Sequence, residues 1–109
     1  MQSAQRRTLL ITGANKGIGL AIVDKLLSEA TPYDIILTSR DTKLGDNAIS
    51  TLKAKHPNSN STLTYQQLDV NDTKSVDNLI QWLKDTKRKI DVLVNNAAVL
   101  YYKSEDQLK

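Results

Sequence analysis

The chain has 109 residues, 39% hydrophobic and 25% charged, the balance of one small globular domain with a single core. Its net charge of +3 is scattered rather than gathered into a run, which argues for a solvated surface and against nucleic acid as a partner. There is no Cys and a single His, His56, so a cysteine nucleophile, a disulfide and a thiolate metal site are excluded, and His56 lacks the partners a metal needs. No apolar run is long enough to span a membrane and residues 1–7 lack the apolar region of a signal peptide, so the expected setting is the cytosol.

The apolar run at residues 8–11 predicts a buried strand. It leads into Thr12-Gly13-Ala14-Asn15-Lys16-Gly17-Ile18-Gly19, and a helical pattern through Leu20, Val23 and Leu27 leads out. Residues 34–39, short and β-branched, predict a second strand buried on both faces. Asp41 or Thr42 then caps a helix with Leu44, Ala48, Ile49 and Leu52 at helical spacing. His56, before Pro57, is expected to be an exposed helix-end residue. After the breaker-rich loop at 57–61, residues 62–68 alternate as an outer strand with one wetter face does. Asn71-Asp72 opens a third helix, with Val76, Leu79, Ile80 and Leu83 on one stripe, and residues 91–95 predict a fourth buried strand. Alternating strands and helices with apolar strands imply an α/β fold: a doubly wound parallel sheet with helices on both faces, as one domain over residues 1–109.

In such a sheet the ligand sits at the carboxyl ends of the strands. Three glycines between a strand and a helix suit a phosphate-binding turn. One reverses the chain, one lets the backbone approach a pyrophosphate and one lets helix and strand pack closely. The helix N-terminus adds free N–H groups and a positive dipole end. Gly13, Lys16, Gly17, Ile18 and Gly19 are therefore candidates, with a plain connecting loop as the competing reading.

The second strand end chooses the nucleotide. A carboxylate there would bond the ribose 2′-OH of NAD, but this chain has Ser39 and then Arg40, whose guanidinium can grip a 2′-phosphate. With Lys16 as a second cation, NADP is expected over NAD. Asp41 competes for the ribose but suits the helix cap better, and a solvated surface arginine is the alternative for Arg40. Asp69, ending the third strand, can accept from an adenine amino group with the backbone of Val70 beside it, or can serve only as a turn former. Asn95 and Asn96 can tie adjacent loops together or contact the cofactor's ribose.

Together these motifs resemble the classical short-chain dehydrogenase/reductase family, and most nearly its NADPH-dependent carbonyl reductases. The spacing Gly13-x-x-x-Gly17-x-Gly19 is similar to the family's cofactor motif, Asp69 to its adenine-binding Asp, and Asn95-Asn96-Ala97 to its Asn-Asn-Ala-Gly signature. The likeness runs over residues 8–100. It implies a Rossmann sheet of strand order 3-2-1-4, NADP(H) as cofactor, and Asn15, Lys16 and Arg40 around the 2′-phosphate. It adds Ala97 to the cofactor contacts. Two positions depart from the pattern: Leu44, beside Lys43, stands where a second arginine is usual, and Ala98 where the signature ends in glycine.

Family members reduce carbonyls with a Ser and a Tyr-x-x-x-Lys pair downstream of that signature. Here the residues four beyond Tyr33, Tyr65, Tyr101 and Tyr102 are Leu37, Asp69, Glu105 and Asp106, so no catalytic residue is assigned. The fourth strand is also left without a predicted neighbour, an edge open to pairing with another chain. Three readings follow. The chain is the cofactor-binding portion of a longer carbonyl reductase, with a carbonyl substrate only once the remainder is supplied. Otherwise it is a half-domain that binds nucleotide or a protein partner and covers its edge in an oligomer or complex, or it has the fold but binds no nucleotide.

Overall fold

The computed structural model describes residues 6–96. Four parallel strands alternate with three helices: β1 (Arg7–Ile11), α1 (Gly17–Leu27), β2 (Tyr33–Ser39), α2 (Thr42–Lys55), β3 (Thr62–Gln67), α3 (Thr73–Asp85) and β4 (Val92–Val94). The sheet order is β3-β2-β1-β4, so the chain winds outward from β1 to β3 and then returns across to the other side of β1. The expected fold and strand order are both found.

Strand side chains alternate between two faces, and each face has its own core. Leu9, Ile11, Ile35, Leu37 and Leu63 point to one side, where Val23 and Leu27 of α1 and Ala48 and Leu52 of α2 cover them. Leu10 and Ile36 point to the other side, where Leu68 and Leu79 close over them with Val76, Trp82 and Leu83 packed around. The apolar run in β2 follows from this double cover, since residues Ile35, Ile36 and Leu37 are fully buried on alternating faces.

The fourth strand departs from expectation. It is shorter than residues 91–95, and Val92 and Leu93 are 38% and 59% exposed. Leu93 lies opposite Leu10 in register and therefore faces the α3 side, yet α3 does not reach over it. Ile80 of α3 is exposed as well, although its spacing placed it on the buried stripe. β4 is anchored instead through polar contacts: Asp91 Oδ2 accepts from Thr8 N at 2.7 Å, and Asp91 N donates to Thr8 O at 2.9 Å.

His56 also departs from expectation: its side chain is only 14% exposed because it reaches from the end of α2 to α1. His56 Nε2 lies 2.6 Å from Asp24 Oδ1, and Lys55 Nζ donates to Asp24 Oδ2 at 2.9 Å. These bonds, that of His56 first, hold the Asp24 carboxyl below its ordinary 3.8. A carboxylate whose pKa falls on folding stabilises the fold above its unfolded pKa, and the benefit disappears as pH falls through the folded value. The stability advantage of the wild type over Asp24→Asn, read by denaturant titration, is thus expected to be full near about pH 5 and to shrink below 3.8. An advantage that grows on acidification contradicts this linkage.

Candidate functional site

Parallel strands bring their carboxyl ends to one edge, and the candidate residues gather there in four short turns. The turns are tied to each other. Ala14 N donates to Thr38 O at 2.9 Å, joining the glycine turn to the end of β2, and Leu68 N donates to Ser39 O at 2.9 Å, joining β2 to β3. On the other side Thr12 N donates to Val94 O at 3.0 Å, and Thr12 Oγ1 lies 3.3 Å from Asn95 Oδ1.

Within the glycine turn the three glycines are there for two different reasons. Gly13 and Gly17 have φ of 59° and 63°, the left-handed region that L side chains disfavour. A Cβ on Gly17 would meet nothing within 4 Å, so the backbone faces open space there. Gly19 is the reverse case. Its Cβ would lie 2.9 Å from both Ala14 Cα and Gly13 O and 3.0 Å from Asn96 Nδ2, so the first turn of α1 sits directly on the turn before it. Asn96 Nδ2 donates to that same Gly13 O at 3.1 Å, tying the turn after β4 to the turn after β1.

The start of α1 is open. Asp41 caps α2 by accepting from Leu44 N at 3.1 Å, and Asp72 caps α3 by accepting from Lys74 N at 3.0 Å. Lys16, in the corresponding place on α1, makes no side-chain cap, and no acidic residue lies in the first turn. The first amides of α1 and its positive dipole end therefore remain available to an anion. Ile18, in that first turn, is 71% exposed.

Lys16 and Arg40 are both exposed, and neither side chain makes a hydrogen bond or ion pair within residues 6–96. With Asp41 engaged as a cap, Arg40 is the residue that β2 presents at its end. Leu44 follows in the first turn of α2, 51% exposed. Asn15 is half-buried at the mouth of a groove of about 470 Å³ between α1 and α2, lined also by Gly17, Leu20, Leu44 and Ala48.

Asp69 is a turn former and keeps one carboxylate oxygen without a partner among the described residues. Its other oxygen accepts from Asn71 N at 3.0 Å, closing the turn. Asp69 N in turn donates to the Ser75 hydroxyl oxygen at 2.9 Å, and Val70 beside it is 36% exposed. Ala97, Ala98, Tyr101 and Tyr102 lie outside the described residues. Among the described residues no cluster of three His, Asp or Glu side chains could hold a metal, and no helix is long and apolar enough to cross a membrane.

Two residues escaped sequence reasoning: Gly45, buried in the second turn of α2, and Tyr65 on β3, whose ring lies against it. A glycine inside a helical pattern was the available signal, since it often marks close packing.

The chain matches the short chain dehydrogenase family over residues 7–109. It is 45% identical to short-chain dehydrogenase/reductase 1 of Saponaria officinalis, over 88% of this chain and 31% of that protein. It is 39% identical to carbonyl reductase (NADPH) 3 of Homo sapiens, over 97% of this chain and 36% of that one. The chain thus spans about a third of the length of these relatives. Its fold is similar to the menthone neomenthol reductase of Mentha piperita, with a TM-score of 0.74 and 34% identity over 95% of this chain and 39% of that one.

The two kinds of glycine separate experimentally. Gly19→Ala forces a methyl group against backbone and is expected to cost about 1–3 kcal/mol in urea unfolding. Gly17→Ala meets no atom and is expected to cost about 1–2 kcal/mol from its left-handed backbone alone, so of the two it is the milder. A larger loss for Gly17→Ala contradicts the packing role of Gly19.

Proposed function

Because the chain belongs to the short-chain dehydrogenase family, we propose that it is the cofactor-binding portion of an NADPH-dependent oxidoreductase that reduces carbonyl compounds, aldehydes or ketones, by hydride transfer. The observation that carries this reading is the uncapped start of α1 facing open space at Gly17. A side chain at that position would fill the space, and a cap would satisfy the amides; both are missing where a pyrophosphate has to approach.

The other residues fall into place around that anchor. Gly13, Gly17 and Gly19 shape the turn, Ile18 and its neighbours offer backbone amides, and Asn15, Lys16 and Arg40 take the 2′-phosphate. The free carboxylate oxygen of Asp69 accepts from the adenine amino group, with the Val70 backbone beside it. Asn96 holds the Gly13 carbonyl and so fixes the floor of the turn, and Asn96 and Ala97 complete the proposed set of cofactor contacts. The nicotinamide, when bound, supplies the hydride. The side chains described here bind and orient; the proton donor belongs to a Tyr-x-x-x-Lys pair that these 109 residues do not contain.

The names of relatives support the same reading, since NADPH and carbonyl reduction appear in that of the human protein. A second reading rests on Leu93, 59% exposed on β4, which is an edge strand among the described residues: a nucleotide-binding unit that docks a protein partner through β4.

Arg40 gives the direct test. Arg40→Ala is expected to weaken NADPH binding by about 1.5–3 kcal/mol, the range of a charge-assisted contact, and to leave NADH binding nearly unchanged in calorimetry. An equal loss for both cofactors removes Arg40 from the 2′-phosphate.

A further inference from the structure

Arg40 is exposed and its side chain has no partner among the described residues, so it does nothing to fix the backbone that presents it. Other residues do. The buried Ser39 hydroxyl donates to Asp41 O at 2.8 Å, and Gln67 Nε2 donates to Arg40 O at 3.1 Å. The Tyr65 hydroxyl donates to Ser39 O at 3.1 Å and lies 2.9 Å from Ser39 Oγ. Since the one hydroxyl hydrogen of Ser39 goes to Asp41, the Tyr65 hydrogen is the one shared by both Ser39 oxygens. The carbonyls of residues 39, 40 and 41 are each bonded, two of them from β3.

Tyr65 reaches this turn because Gly45 has no side chain. A Cβ there would overlap the Tyr65 ring and lie 2.6 Å from Ser39 Oγ. Glycine inside a helix is less favourable than alanine, so α2 carries a local penalty where it admits the ring.

We propose that Tyr65, Gln67 and Gly45 are positioning residues that set nucleotide specificity: they hold the turn at 39–41 so that Arg40 is aimed at a 2′-phosphate. This rests on the reading of Arg40 given above. A guanidinium grips phosphate best through two hydrogen bonds in a fixed plane, and a loosened backbone adds conformational freedom that binding must remove. NADH has no 2′-phosphate and does not report that loss.

Tyr65→Phe keeps the ring on Gly45 and removes only the hydroxyl. It is expected to raise the Kd for NADPH roughly five-fold, the scale of one net hydrogen bond, with NADH changed by less than about two-fold in calorimetric titration. In an Arg40→Ala background the same substitution is expected to change neither. Gln67→Ala removes the bond to Arg40 O and also the one that Gln67 Oε1 accepts from Ser75 Oγ at 2.8 Å, beside Asp69, so it is expected to act in the same direction on NADPH with a smaller loss shared by NADH. If the wild type prefers NADPH and both variants keep that preference, or weaken both cofactors alike, the positioning role is overturned and the reading of Arg40 stands. A wild type with no preference for NADPH overturns the reading of Arg40 and the inference with it.

Discussion

Gly19 places the first turn of α1 against Ala14 Cα and Gly13 O, closer than any residue with a side chain could come. The glycine turn, the direction of α1 and the turn after β4 all depend on that approach. Asn96 donates to the Gly13 carbonyl, which lies within the same packing contact, so the far end of the described chain is locked onto its beginning. The same close approach sets where α1 begins, and there its first amides are left without a side-chain cap and Gly17 faces open space.

The rest of the edge is built in the same way, by hydrogen bonds onto the backbone carbonyls of neighbouring strand ends. Thr38 O receives the amide of Ala14, Ser39 O the amide of Leu68 and Arg40 O the amide group of Gln67. Charged groups are thereby left free while the backbone under them is bound. Lys16 and Arg40 hold their charges in solvent, where attraction for a bound phosphate is screened and orientation decides much of the affinity. On the proposed reading of Arg40, specificity at this end depends on how rigidly the turns are set, as much as on which side chains they carry.

Much of this was legible in the sequence because the signals were local. Alternating apolar runs fixed the order of elements, Asp41 and Asp72 announced the helices that they cap, and the glycine spacing marked the turn. The failures were all long-range. Residues 91–95 read as a buried strand, since apolar side chains on both faces say nothing about whether a helix will cover them; β4 is left with Leu93 largely exposed. His56 read as exposed because its partner, Asp24, lies 32 residues away on another helix. Gly45 passed unremarked because its meaning lies in Tyr65, on a strand that it meets only after folding.

The central claim is that the strand-end edge is a nucleotide site that distinguishes the 2′-phosphate. Calorimetric titration of the wild-type chain with NADPH and with NADH, on a sample shown by circular dichroism to be folded, tests it most directly. Saturable binding of NADPH, tighter than that of NADH, is the predicted result. A folded sample that binds neither cofactor would contradict the claim and leave the glycine turn as a packing device alone.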